Sequence, residues 1–406
     1  MRPNLVVRRF EVHAESVATL KDVRPALREA IDKLPDGSVT GEIHVAEEAC
    51  VVTVRLYGAV DAVAAVRERA LHLDGVQVRR DFLDVPAAAP PQPAAPFRAQ
   101  PGEASPLPED EDLYPDQRAL LRIDPEGRSR LETGSGKPVV VAIVDSGIMV
   151  DHPALLRHLW TKEVGGPKVH GARCVGDVQD YDLTDQDGHG TMLAGSILAT
   201  ANFVEGLKLM AVKFFDVVTQ PAAANAARAI RFAVENGATI INLSFDLGIG
   251  SRELRSAIES AFDAGALVVM AAGNTGADND RYPLVPACYA ELCPERAIVV
   301  MATDSYDERL TVSNFGAKTV DLAAPGDKIM STSTFLSSTG EPPRKYRRYT
   351  GTSAAAAQVT GAAALLRSQD PSRAAEDLKQ RLTTSVDVLP WLKCKAHGRI
   401  NLSKAL

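Results

Sequence analysis

From about residue 139 onward, uncharged apolar runs alternate with stretches of helical periodicity. Val139–Val144 has no polar position at all, the pattern of a strand buried on both faces, and it ends on Asp145 and Gly147. Leu209–Phe215, Thr239–Phe245, Ala266–Ala272, Ala297–Thr303 and Val320–Ala323 repeat that pattern and predict further strands. Between them, Ala222–Asn236 and Arg252–Ala264 carry apolar residues at helical spacing and stop at Gly237 and Gly265. Pro371–Leu389 predicts a last long helix, ended by Pro390. Strands alternating with helices predict an α/β fold with a doubly wound parallel sheet.

The first 85 residues read differently. Leu5–Val12, Val39–Val45, Cys50–Leu56 and Val76–Val85 predict strands, and Ser16–Leu34 and Asp61–Leu73 predict helices. Strand, helix, two strands, helix, strand is a ferredoxin-like α+β arrangement, which hosts many functions. Residues 86–115 form a Pro/Ala-rich linker that closes on the acidic run Glu109-Asp-Glu-Asp112. The predicted organisation is therefore a small domain over 1–85, a linker over 86–115 and an α/β domain over 116–406.

Candidate chemistry lies at the ends of the predicted elements. Ser353 to Leu366 carries no charge and is mostly Ala, Gly, Val and Leu, which predicts a helix buried all round. Gly351-Thr352 leads into it, so Ser353 stands at or beside a helix N-terminus, where free backbone N–H groups favour developing negative charge. By itself such a serine is a helix cap. Two further stretches change that reading. Asp145 closes an apolar strand, and His189 stands between Gly188 and Gly190 at the start of another small-residue helix. Acid, imidazole and hydroxyl, each at an element end, are the parts of a nucleophile–base–orienter relay.

The order Asp145, His189, Ser353 is that of subtilisin, and Ala355 removes the second glycine of the α/β-hydrolase elbow. Ile-Val-Asp-Ser-Gly, His-Gly-Thr-x-x-Ala-Gly and Gly-Thr-Ser-x-Ala are all present, so residues 114–406 resemble the subtilisin family (subtilase, peptidase S8) of serine endopeptidases. The resemblance implies that Asn274, in Ala271-Ala-Gly-Asn-Thr-Gly276, joins the Ser353 amide as an oxyanion-hole donor. It also implies that Ser244, Phe245, Asp246 and Gly248 lie along an edge that pairs with extended substrate, with Gly273 on the opposite wall of the specificity pocket. Asp246 stands where the family usually has Gly, and reads either as a selector of basic side chains or as a solvated rim carboxylate. Arg344-Lys-Tyr-Arg-Arg348 reads either as a selector of acidic residues or as a solvated loop.

Other positions depart from the family. Ala354, Ala357 and Gln358 replace its usual Met, Pro and His. Ala154 and the short Ala201–Gly206 loop predict that its best-known calcium site is absent, so no cofactor and no metal is expected. Asp182, Asp185 and Asp187 could hold calcium elsewhere, or simply face solvent. His152 reads as structural. By the same resemblance residues 1–85 are an inhibitory or chaperone-like prosegment, with an unrelated interaction module as the rival reading. A linker of about 30 residues favours a retained regulatory domain over a fixed cleavage junction.

Composition narrows the partners. A net charge of −7 gives no footprint for nucleic acid or an anionic membrane. Five scattered cysteines do not suggest a disulfide framework, although Cys288 and Cys293 are close enough in sequence to bridge. The first residues lack the apolar core of a signal peptide, which makes a cytoplasmic protein the expectation. The function expected is peptide-bond hydrolysis through Asp145, His189 and Ser353, with a polypeptide as substrate and residues 1–85 as a candidate intramolecular inhibitor. The rival from another class is a peptide-binding module that grips a partner without turning it over.

Overall fold

In the computed structural model, the described residues are the strands 5–14, 39–46, 51–59 and 76–84, and then 118–131, 134–176, 180–216, 222–247, 250–334 and 345–406. The chain divides into two compact units, Met1–Gln92 and Pro93–Leu406. In the first, β1 (Leu5–Ala14), β2 (Val39–Ala46), β3 (Val51–Ala59) and β4 (Val76–Asp84) form a sheet in the order β2-β3-β1-β4. Every neighbouring pair in it is antiparallel, as a ferredoxin-like chain path requires. The helices predicted over 16–34 and 61–73, and the linker over 86–115, lie outside the described residues.

The second unit opens with a short helix, α1 (Arg118–Ile123), and then winds strands and helices in alternation. Apart from a two-residue pair, Lys162–Glu163 against Lys168–Val169, its strands are β5 (Val139–Asp145), β6 (Gly171–Arg173), β7 (Leu207–Lys213), β8 (Ile240–Leu243), β9 (Leu267–Ala271), β10 (Ala297–Thr303) and β11 (Leu322–Pro325). They are followed by β12 (Ile329–Thr332), β13 (Tyr346–Tyr349), β14 (Val386–Val388) and β15 (Gly398–Ile400). The longer helices are α2 (His189–Thr200), α3 (Ala223–Glu235), α4 (Arg252–Asp263), α5 (Thr352–Gln369) and α6 (Ala375–Thr384), and α7 (Leu402–Ala405) closes the chain.

Nine strands make the main sheet, in the order β14-β15-β11-β10-β9-β8-β5-β7-β6, parallel throughout except for β14 against β15. Side chains alternate across it. Val139, Val141 and Ile143 join the core under α2 and α5, whereas Ala142 and Val144 join the core under α3 and α4. Leu267, Val269 and Ala271 against Val268 and Met270 do the same. Two cores on two faces explain why these strands show no polar alternation: both sides are dry. The doubly wound parallel sheet is thus the observed architecture.

Some predicted bounds move. The strand expected over 209–215 runs over Leu207–Lys213, and the last long helix stops at Thr384. Val386–Val388 instead forms an edge strand, with Val386 facing Ile400. The antiparallel pair β12–β13, which the sequence reading did not anticipate, lies outside the main sheet and packs on α2. Ser331 Oγ donates to the Met192 carbonyl and Thr332 Oγ1 to the Thr191 carbonyl, each at 2.6 Å.

Candidate active site

Each candidate group stands where an element begins or ends. Asp145 is the last residue of β5 and is fully buried. Its Oδ1 accepts from the Ser146 amide at 2.8 Å and from His189 Nδ1 at 2.8 Å. Because Nδ1 faces a carboxylate, it carries the proton, which leaves Nε2 as the nitrogen for proton exchange. His189 is the first residue of α2, after Gly188 in the left-handed conformation at φ 89°. The neighbouring glycine is a packing requirement: a Cβ on Gly190 would stand 2.1 Å from the Gly147 carbonyl oxygen.

The turn before His189 is held by Asp185. This carboxylate is 3% exposed and accepts from the Gly188 and Thr191 amides, both at 2.8 Å, and from Ser146 Oγ at 2.9 Å. Ser146 Oγ in turn accepts from the Gly190 amide at 3.0 Å, tying the end of β5 to the start of α2. Asp182 accepts from the Thr184 amide at 3.0 Å. Two of the carboxylates considered for calcium, Asp182 and Asp185, are therefore employed in shaping the loop, and among the described residues no group of three or more His, Cys, Asp or Glu could hold a metal ion.

Burial works against the His189 imidazolium, but the Asp145 carboxylate, with Asp187 and Asp185 beside it, pushes His189 up to about 9. Burial also raises Asp185, despite the donors that surround it, and Asp187.

Ser353 is the second residue of α5, whose residues from Thr352 to Ser368 are all buried. Its hydroxyl donates to the Ser244 carbonyl at 3.1 Å, so in this state the proton rests there and not on His189. Asn274 lies next to this helix start. Its Oδ1 accepts from the Thr352 amide at 2.9 Å and from Thr352 Oγ1 at 3.1 Å. An amide donor can bond only the oxygen end of the carboxamide, so the flip is fixed and the Asn274 NH₂ is turned outward. That NH₂ and the Ser353 backbone N–H, an orphan of the first helical turn, are two donors beside one hydroxyl.

Ser244 is buried immediately after β8, and Asp246 is exposed at the rim. The ring of Phe245 packs on Phe214 with centroids 4.5 Å apart, so Phe245 can offer the cleft only its backbone. Gly273 is buried just after β9, and the Leu284 side chain lies directly against it: a Cβ on Gly273 would be 2.4 Å from Leu284 Cδ2. Gly248 lies outside the described residues. Leu284 was not singled out from sequence; only the fold brings it to Gly273. His152 is fully buried, accepts from the Ala154 amide at Nδ1 (3.2 Å) and donates from Nε2 to the Lys345 carbonyl (2.9 Å), a structural pin. Cys174, Cys288, Cys293 and Cys394 are free thiols.

A hydroxyl at a helix start, a carboxylate-paired imidazole and paired amide donors, set on an open parallel sheet, define the class of serine hydrolases. Comparison with known proteins makes the class specific. The subtilase family model matches residues 136–401. Thermitase of Thermoactinomyces vulgaris is 32% identical over 68% of this chain and 91% of its own. Subtilisin BL of Lederbergia lenta is 33% identical over 69% of this chain and 94% of its own. Among solved structures, the nisin leader peptidase of Lactococcus lactis shares the fold, with TM-score 0.58, 22% identity, and coverage of 73% of this chain and 94% of that one. The chain belongs to the subtilase family and is a subtilisin-like serine endopeptidase.

Proposed function

We propose that the protein cleaves polypeptides with Ser353 as nucleophile, His189 as general base and then acid, and Asp145 as the group that orients His189 and stabilises its imidazolium. The observation that carries this reading is the 2.8 Å bond from His189 Nδ1 to the buried Asp145. Substrate draws the Ser353 proton from the Ser244 carbonyl towards His189 Nε2, a tightening common to catalytic hydrogen bonds on complex formation. Attack on the scissile carbonyl gives an oxyanion received by the Ser353 amide and the Asn274 NH₂. Collapse expels the amine, protonated by His189, and water then hydrolyses the acyl-enzyme by the same path in reverse.

Substrate runs along the backbone of Ser244–Asp246, with the side chain before the scissile bond between that edge and Gly273. The Leu284 side chain and the Asn314 carboxamide both stand against Gly273, which makes that pocket shallow. Residues 1–85 act as an intramolecular inhibitor, a reading supported by the ferredoxin-like strand order β2-β3-β1-β4 and by the family resemblance.

The test is a fluorophosphonate active-site label applied to the full chain and to a version beginning near Tyr114, with Ser353→Ala as control. Labelling of both, lost in the variant, is expected if the protease is constitutively competent. Labelling of the short form alone makes residues 1–85 an inhibitor. Folded protein that never reacts overturns the assignment of Ser353.

A further inference from the structure

Asn274 is carried on the segment that leaves the end of β9, and one residue of a distant loop bonds that segment on both sides of it. The Asn314 amide donates to the Gly273 carbonyl at 2.9 Å. Asn314 Oδ1 accepts from the Thr275 amide at 2.9 Å and from Thr275 Oγ1 at 2.8 Å. The Gly273 carbonyl belongs to the peptide unit before the Asn274 Cα, and the Thr275 amide to the unit after it. Both planes that set φ and ψ of Asn274 are thus tied to Asn314, and neither can turn without losing a bond. Asn314 Oδ1 also accepts from the Ala277 amide at 3.0 Å. Asn314 Nδ2 donates to Asn279 Oδ1 at 3.0 Å, and Asn279 Nδ2 donates to the Ala272 carbonyl at 2.8 Å, which ties down the start of the same segment.

The grip is firm at its root. Asn314 is 1% exposed and Asn279 3%. Ser313 Oγ accepts from the Ala302 amide of β10 at 2.9 Å and donates to the Asn314 carbonyl at 2.9 Å. Arg309, whose guanidinium lies 4.8 Å from the Phe315 ring centroid, donates to the Leu310 carbonyl at 3.1 Å and to the Thr311 carbonyl at 3.2 Å. A buried polar network whose members find their partners holds one geometry. On the side-chain side, Thr352 of α5 holds Asn274 Oδ1. With backbone and oxygen both fixed, the Asn274 NH₂ is left with one direction.

We propose that Asn314 is a positioning residue for the oxyanion hole, aiming the Asn274 NH₂ by holding the peptide units on either side of Asn274. The inference rests on the reading of Asn274 as an oxyanion donor. Buried as it is, Asn314 acts through Asn274 and not on the substrate. A donor of this kind is worth most when it is already in place as charge develops, because no reorganisation is then needed during reaction. The ground-state carbonyl carries no such charge, so the contribution of Asn314 falls on kcat and not on KM.

The test is a double-mutant cycle on the full chain, with kcat and KM measured on a peptide anilide for the parent, Asn314→Leu, Asn274→Ala and the double variant. Leucine keeps bulk behind Gly273 but takes the acceptor from Thr275 and Ala277. Asn314→Leu alone is expected to lower kcat by about 10- to 100-fold at nearly the parent KM. In the Asn274→Ala background the same change is expected to cost less than about 3-fold, because the donor it would misdirect is already gone. An equal loss in both backgrounds, the behaviour of a merely structural residue, overturns the proposal. So does a rise in KM at unchanged kcat, which would make Asn314 only a wall of the pocket. If Asn274→Ala by itself costs less than about 3-fold, the donor reading falls and the proposal falls with it. If Asn314→Leu does not fold, Asn279→Ala, which cuts the 3.0 Å bond to the Asn314 carboxamide, takes its place in the cycle and is read by the same rule.

Discussion

The two helices that carry His189 and Ser353 meet at a glycine, and a single methyl group there tests how the site is held. Gly361 of α5 packs against α2, where an added Cβ would stand 2.4 Å from the Ile197 carbonyl oxygen and 2.8 Å from Thr200 Cβ. Ordinary contact begins at 3.4 Å, so the shortfall at the carbonyl is 3.4 − 2.4 = 1.0 Å. The opposing atom is backbone in mid-helix, and Ile197 is fully buried, so nothing nearby can swing aside. Overpacking of this kind costs about 1–3 kcal/mol. Alanine in place of glycine returns about 1 kcal/mol of helix propensity. The net expectation for Gly361→Ala is a loss of up to about 2 kcal/mol, or a melting temperature lower by up to about 5 °C in a domain of this size.

The same wedge should reach the chemistry. Ile197 is eight residues beyond His189 (197 − 189) and Gly361 is eight residues beyond Ser353 (361 − 353), so the proposed base and nucleophile stand about 12 Å along their helices from the contact. Parting the helices by a fraction of an ångström alters the spacing of base and nucleophile, and a misplacement of about 1 Å can cost about 100-fold in rate. Thermal unfolding by near-UV circular dichroism, in a Ser353→Ala background to prevent self-digestion, gives the stability term. Steady-state kcat/KM of the active form should fall by about 10- to 100-fold. A variant that melts at or above the parent temperature with unchanged kcat/KM would refute the reasoning, because helix propensity would then have outweighed the contact.

Two further substitutions probe different links. Asn274→Ala removes the proposed oxyanion donor and the acceptor that holds the Thr352 amide at 2.9 Å, and kcat on a peptide anilide should drop by about 100- to 1000-fold; a loss under about 3-fold would remove Asn274 from the mechanism. Asp124→Asn disturbs a buried junction in which one carboxylate accepts from the Arg128 and Ser129 amides, both at 2.9 Å, and from Ser403 Oγ. An amide NH₂ set against donors leaves them unsatisfied, which should cost about 2–3 kcal/mol in urea unfolding. Hydrogen exchange should then quicken together in residues 118–131 and 402–405, whereas exchange in only one of them would show that the junction does not join the two ends.

Much of the fold was legible because both faces of the sheet are covered. A strand such as Val139–Asp145, dry on both sides, has to be apolar throughout, and that signature survives without knowledge of its neighbours. The pair β12–β13 was hidden for the converse reason. Its second strand, Tyr346–Tyr349, contains Arg347 and Arg348 and follows Lys345, so by charge it resembles a solvated loop. Its first strand is tied to α2 through Ser331 and Thr332, bonds that no local pattern reveals. The over-long helix prediction across residues 371–389 failed where apolar spacing continued beyond the helix end at Thr384: the β-branched Val386 and Val388 suit an edge strand, and Ile400 was there to pair with Val386.

The candidate site divides along the same line. Asp145, His189 and Ser353 stand at element ends beside glycines, a local arrangement that sequence records directly. The role of Asp185 depends on depth, which sequence does not record: it reads as a loop acid that could face water or bind calcium, yet it is 3% exposed. The unusual residues after Ser353 also make sense only at depth. Ala354, Ala357 and Gln358 are all buried, and Gln358 Nε2 donates to the carbonyl of Pro325 at the end of β11. A side-chain amide there fastens α5 to the sheet, while the alanines leave its backbone close to α2 and to the strands. The helix that presents Ser353 is therefore held by close backbone approach along its length and not by bulk near the nucleophile. That is why the added methyl at Gly361, eight residues from any reacting atom, is expected to be felt in kcat/KM.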